Sequence, residues 1–135
     1  MQSNILGRTG LKVSRLGLGT SEIGLNLAIN DYKIISDIFN FALDNGIDFI
    51  DTASSYGIGE QVIGESLSHR RSEYILASKT GHSIFGKDWN YDTIIDSVDK
   101  SLRLLKTDYI DIMQLHGTDI SLLEKGDVIR ALQDS

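Results

Sequence analysis

The chain lacks both cysteine and proline. Without cysteine there can be no disulfide, no thiolate-held metal and no cysteine nucleophile, and the redox compartment stays open. Average usage would supply roughly seven prolines in a chain of this length, but their absence points to no particular function. Positive charge is also scarce, with 13 Lys and Arg against 19 Asp and Glu and a net charge of −6. That balance gives no electrostatic reason to coat a nucleic acid or an anionic membrane surface. No window of about 18 apolar residues is present, which argues against a transmembrane helix. The start, Met1-Gln2-Ser3-Asn4, lacks the basic run and apolar core of a signal peptide, so cytoplasm is the expected location. His69, His82 and His116 have no ligand spacing, and no metal site is expected.

What is present is a chain of 135 residues, 41% apolar, enough for the core of one domain. Short apolar runs alternate with amphipathic stretches, the pattern of repeated strand-helix units. Asn4 to Gly7 and Lys12 to Ser14, joined by Arg8-Thr9-Gly10, read as a hairpin. Buried strands are expected at Arg15 to Gly19, Ile47 to Asp51, Tyr74 to Ser78 and Tyr109 to Leu115. Helices are expected between them. One runs from Asp31 to Asn45 with Ile34, Ile35, Ile38, Phe41 and Ala42 as its apolar stripe and Gly46 as its stop. A second, Gly59 to Leu67, buries Val62, Ile63 and Leu67. A third, Tyr91 to Leu105, turns Ile94, Ile95, Val98, Leu102 and Leu105 inward, and a fourth begins near Leu122. The strands recur at roughly 30-residue intervals, which implies parallel pairing through right-handed crossovers.

In parallel α/β folds, reactive groups gather at the carboxyl ends of the strands. Gly19-Thr20-Ser21 follow the first strand. Asp51-Thr52 and Ser54-Ser55-Tyr56-Gly57 follow the second, Lys79-Thr80 the third and His116-Gly117 the fourth. Asp51, Tyr56, Lys79 and His116 would then face one another on a single rim. An ammonium stabilises the charge on a phenol that gives up its proton, and a carboxylate holds that ammonium in place. A histidine can donate a hydrogen bond to a substrate oxygen. Together these groups make a proton donor for a carbonyl that is receiving a hydride. Each also has a plain structural reading: Asp51 as a cap, Tyr56 as packing, His116 as a satisfied core histidine. Lys79 is the least ordinary of the four, because lysine rarely stands where a strand leaves a core.

These residues resemble the aldo-keto reductases. The resemblance runs from Leu6 to His116 and is carried first by Leu6-Gly7-Arg8-Thr9-Gly10-Leu11-Lys12-Val13-Ser14 and Gly46-Ile47-Asp48-Phe49-Ile50-Asp51-Thr52-Ala53. Tyr56-Gly57-Ile58-Gly59-Glu60 adds to it, as does the stretch from Ser101 to Asp111 leading to Gln114-Leu115-His116. It implies an α/β fold, the N-terminal half of a TIM (β/α)8 barrel, with about four βα units and the hairpin plugging the bottom. It also implies Tyr56 as proton donor, Lys79 and Asp51 as its tuning partners, and His116 orienting the carbonyl. NADPH is the implied cofactor, with Gly19, Thr20, Ser21 and Asp51 on its nicotinamide side, and the implied substrate is a small carbonyl or sugar-like compound. Many members of the family have Trp where Ser21 stands.

Other motifs are weaker. Gly81 to Asp88 nearly spells a phosphate-binding loop, but Asp88 stands where a Ser or Thr hydroxyl should bind Mg²⁺. The same stretch reads as a substrate loop with Phe85 and Trp89 as apolar walls, or as a solvent loop anchored by Trp89. Gly17-Leu18-Gly19-Thr20-Ser21-Glu22 lacks the third glycine of a dinucleotide fingerprint, and Glu60 four residues after Tyr56 excludes the Tyr-x-x-x-Lys reductases. A full barrel takes about 250 residues. Residues 1–135 are therefore expected to form a partial barrel domain that stops within its fourth helix. Three functional alternatives follow: a working reductase, an inactive half-barrel needing a C-terminal half, or a stand-alone α/β binding module. The open sheet edge also offers a route to self-association.

Overall fold

A computed structural model describes residues 1–27, 31–82 and 89–135. The amino terminus is the expected hairpin, with β1 (Ser3–Ile5) antiparallel to β2 (Lys12–Ser14). Four parallel strands follow in chain order, β3 (Leu18–Gly19), β4 (Phe49–Asp51), β5 (Ile75–Thr80) and β6 (Ile112–Leu115). In register, Gly19 lies opposite Asp51, Asp51 opposite Ala77, and Lys79 opposite Gln114. Strand residues alternate faces. Asp51 and Lys79 therefore share one face of the sheet, while Ile50 and Leu76 point to the other, where the helices lie. This arrangement is the α/β half-barrel the sequence implies.

The helices are α1 (Ser21–Asn26), α2 (Tyr32–Asp44), α3 (Gly59–Leu67), α4 (Tyr91–Leu105), α5 (Ile120–Lys125) and α6 (Asp127–Asp134). Ile35 and Phe39 of α2 meet Val62, Ile63 and Leu67 of α3 over Ile50 and Leu76, forming the larger core. A smaller core joins Ile94 of α4 to Val128 and Ala131 of α6, with Trp89 and Leu115 against it. The end signals act locally. Gly46 has φ +78 and closes α2, and Asn90 accepts from the Thr93 backbone N–H in a capping box that starts α4. Among the described residues no helix is long and apolar enough to cross a membrane.

Three expectations need correction. The buried stripe of α2 is Ile35, Phe39 and Ala42, whereas Ile34, Ile38 and Phe41 are 61%, 41% and 71% exposed. This helix is apolar on two sides, and only one side meets the sheet and α3. The last helix is two helices, because Gly126 takes φ +78 and breaks the run between α5 and α6. Helix α1 was not anticipated: it has only six residues, one of them glycine, too few to show a period.

The amino ends of the strands are tied by polar bonds. The Ser14 N–H donates to Asp48 Oδ1 at 2.6 Å and the Asp48 N–H donates back to Ser14 Oγ at 3.0 Å, which docks the hairpin beneath the sheet. Arg71, in a 3-10 turn over Ser68–Glu73, pairs with Asp111 at 2.6 Å and donates to the Tyr74 and Tyr109 carbonyls. Its guanidinium lies 3.9 Å from the centre of the Tyr109 ring. Arg70 bridges to Asp44 and Glu73. Arg70 and Arg71, just after α3, are thus both used in specific ion pairs.

Candidate active site

At the opposite, carboxyl ends of the strands, the backbone sets the spacing of the polar side chains. The Thr52 N–H donates to the Ala77 carbonyl, the Ser54 N–H to the Lys79 carbonyl and the His116 N–H to the Thr80 carbonyl, all within 2.9–3.0 Å. Segments after β4 and β6 are thereby both fastened to β5. Asp51 ends β4, and Lys79 lies two residues beyond Asp51's partner Ala77, on the same face. Their side chains meet, with Lys79 Nζ 2.6 Å from Asp51 Oδ2. The ammonium also donates to the Thr52 carbonyl at 2.8 Å.

Tyr56 sits in the loop after β4, its ring centre 5.0 Å from Lys79 Nζ. The His116 ring stands edge-on to the Tyr56 ring at 5.7 Å. The structure thus brings Asp51, Tyr56, Lys79 and His116 into one cluster. The ammonium is largely enclosed, with 16% of the Lys79 side chain exposed, while 37% of Asp51 remains open. Partial enclosure strengthens the field of the cation at the phenol, because less water screens it.

The Tyr56 loop is held by close backbone contact with α1. Gly24 leaves no room for a side chain, since a Cβ there would fall 1.9 Å from the Tyr56 carbonyl oxygen. The Ile58 N–H donates to the Gly24 carbonyl at 3.1 Å, and Gly57 takes φ +51 at this crossing. Glycine at both positions is what lets the two backbones approach.

The candidate cofactor residues differ among themselves. Gly19 is exposed beside Asp51, and nothing lies within 4 Å of where its Cβ would be, so the strand end opens onto free space. That space lies next to the carboxylate–ammonium pair of Asp51 and Lys79. Ser21 opens α1 and is half-buried. Thr20 is fully buried, and its hydroxyl donates to Thr52 Oγ1 at 2.8 Å, so its side chain builds the floor of the site.

Two neighbours escaped the sequence reading. Ser55 Oγ lies 3.2 Å from His116 Nδ1, and the His82 ring centre lies 5.3 Å from that of His116. Their place after strand ends was visible, but the contacts depend on loop geometry. Behind the sheet, Glu60 accepts from Ser78 Oγ at 2.7 Å, and burial pushes its carboxyl above the usual range. The Ser101 hydroxyl faces the same carboxyl without reaching ordinary hydrogen-bond geometry. Phe85 and most of the Gly81–Asp88 stretch lie outside the described residues. Trp89 packs over Gly81, whose Cβ would meet the indole at 2.3 Å, and joins the smaller core, which favours an anchor over a pocket wall.

A parallel sheet with helices on one face and acid–base side chains at its carboxyl ends defines a barrel-type α/β protein. The comparisons agree with that class and narrow it. A model of the Aldo/keto reductase family matches residues 15–134. The whole chain aligns at 35% identity with aldo-keto reductase YhdN of Bacillus subtilis, covering 44% of that protein. With L-galactose dehydrogenase of Arabidopsis thaliana the identity is 36%, over 95% of this chain and 42% of that one. An aldo-keto reductase of Bacillus halodurans, solved in its holo form, superposes with a TM-score of 0.87 at 36% identity, over 99% of this chain and 46% of that one. The chain belongs to the aldo/keto reductase family. It spans less than half the length of these relatives.

Proposed function

We propose that this chain carries the acid–base half of an NADPH-dependent oxidoreductase that reduces an aldehyde or ketone to an alcohol. The observation that supports this best is the Lys79 ammonium, which is fixed by Asp51 and the Thr52 carbonyl and lies 5.0 Å from the Tyr56 ring. Bound at the carboxyl ends of the strands, NADPH would supply the hydride. Tyr56 gives its proton to the carbonyl oxygen, and the Lys79 cation stabilises the charge left on the phenol. Asp51 holds the ammonium in place. His116 hydrogen-bonds the carbonyl oxygen and orients it. Gly19 and Ser21 border the nicotinamide together with Asp51, while Thr20 contributes through the backbone and the buried hydroxyl beneath them.

A small carbonyl or sugar-like substrate fits this polar rim, and similarity to L-galactose dehydrogenase supports the sugar-like choice. Reduction with a soluble dinucleotide suits a cytoplasmic setting, with neither nucleic acid nor membrane as partner. A second reading is favoured by the sheet edges, because among the described residues β3 and β6 each pair on one side only. Residues 1–135 then act as a partial barrel domain that needs four further units, from a C-terminal half or by self-association through the open edge. A stand-alone binding module remains the competing class. Titration of the 135-residue chain with NADPH, followed by nicotinamide fluorescence, separates them. Saturable binding together with carbonyl reduction supports a self-sufficient reductase. Absence of binding up to millimolar cofactor overturns that form and leaves the half-barrel, whose activity should appear on adding the missing units.

A further inference from the structure

Ser55 and His116 are 61 residues apart in sequence, yet Ser55 Oγ lies 3.2 Å from His116 Nδ1. Both partners are fastened to the same strand. Ser54, next to Ser55, donates its N–H and its hydroxyl to the Lys79 carbonyl, each at 3.0 Å. The His116 N–H donates to the Thr80 carbonyl at 2.9 Å. The Tyr56 N–H donates to the Ala53 carbonyl at 3.0 Å, which folds the intervening turn. Two serines side by side thus make different bonds: Ser54 ties the loop to β5, and Ser55 reaches the imidazole. The ring itself is flanked by Tyr56 at 5.7 Å and His82 at 5.3 Å, which limits its rotation.

We propose that Ser55 is a positioning residue that sets the tautomer of His116, donating its hydroxyl proton to Nδ1 so that Nε2 carries the ring proton. This rests on the reductase reading for its purpose, though not for its measurement. A serine hydroxyl can donate or accept, and a neutral imidazole has one nitrogen of each kind. If Ser55 donates, Nε2–H is a donor and acts beside the Tyr56 hydroxyl on one oxygen. A carbonyl oxygen accepts two such bonds and donates none. If Ser55 accepts instead, Nε2 turns a lone pair toward that oxygen and repels it. The pairing thus makes the site selective for an oxygen that can only accept, and fixes the orientation before a substrate arrives.

The test is long-range proton–nitrogen correlation spectroscopy on the full chain with labelled histidine, at a pH where His116 is neutral. Wild type should show His116 as the Nε2–H tautomer. Ser55→Ala should move it to a mixture or to the Nδ1–H form, and Ser55→Thr should restore the wild-type pattern. An Nδ1–H pattern in wild type overturns the proposal, as does an unchanged pattern in Ser55→Ala. If Ser55→Ala fails to fold, the wild-type and Ser55→Thr spectra still decide. Where carbonyl reduction is measurable, Ser55→Ala should lower kcat/KM about tenfold, the size of one lost hydrogen bond, with NADPH affinity unchanged. Absence of turnover in every form, even after the missing barrel units are added, tells against the reductase reading alone, because the spectra judge the tautomer independently.

Discussion

Gly24 links the fold to the site most directly, and Gly24→Ala measures that link. The new Cβ would stand 1.9 Å from the Tyr56 carbonyl oxygen and 3.0 Å from the Gly59 nitrogen. Carbon and oxygen tolerate roughly 3 Å at the closest, so α1 or the Tyr56 loop must retreat by about 1 Å. The retreat strains two backbone bonds, Ile58 N–H to the Gly24 carbonyl at 3.1 Å and Gly59 N–H to the Tyr56 carbonyl at 2.8 Å. Overpacking of this kind costs about 1–3 kcal/mol. Alanine gains about 0.5–1 kcal/mol over glycine inside a helix, which leaves a net loss of up to about 2.5 kcal/mol. Urea denaturation should show that loss as a lower midpoint with an unchanged slope. The amide resonances of residues 55–59 should shift as well. Leu25→Ala, at an exposed position of the same helix, should stay within about 0.5 kcal/mol of wild type. Where turnover is measurable, a 1 Å displacement of Tyr56 should cost about a hundredfold. A Gly24→Ala protein at least as stable as wild type, with the loop resonances unmoved, would refute the claim that this crossing positions Tyr56.

Arg71→Met should cost about 3–5 kcal/mol in denaturant titration, because it leaves the largely buried Asp111 carboxylate without its cation. Adding Asp111→Asn should recover part of the loss, whereas a single variant within 1 kcal/mol of wild type, on the order of one surface ion pair, would contradict this role. Glu60→Gln tests the buried carboxyl. Its raised folded-state pKa means that protonation stabilises the fold below the ordinary value of 4.5 and that this contribution fades as pH rises through the raised value. The variant should therefore match wild type below pH 4.5 and gain on it in thermal stability as pH rises from there, the gap levelling off above the raised value; a gap independent of pH would count against the assignment. Burial pushes the Tyr74 hydroxyl up to about 12, and the hydroxyl has no hydrogen-bond partner among the described residues. Tyr74→Phe should consequently raise stability by about 1 kcal/mol at neutral pH, and a loss of that size would reveal a partner.

Much of this arrangement is legible in the residues. Helices α3 and α4 span Gly59–Leu67 and Tyr91–Leu105, the bounds their apolar periods give. The cluster of Asp51, Tyr56, Lys79 and His116 could be foreseen because parallel strands bring their carboxyl ends to one rim. What escaped depends on tertiary context. Period alone could not say which of two apolar stripes on α2 would be covered, and Ile34, Ile38 and Phe41 stayed exposed. Thr20 was expected on the nicotinamide side of the rim, but its side chain is buried and its hydroxyl is bonded to Thr52. The Gly24–Tyr56 crossing and the Ser55–His116 pair join distant segments, and no local pattern encodes them.

The most direct measurement is the rate of NADPH-dependent carbonyl reduction by Tyr56→Phe in the barrel-complete protein, beside its affinity for NADPH. If Tyr56 is the proton donor, kcat/KM should fall by about a hundredfold to ten-thousandfold while cofactor binding stays at the wild-type level. Turnover within about tenfold of wild type, with the dinucleotide still bound, would contradict the role of Tyr56 and with it the proposed function of the site.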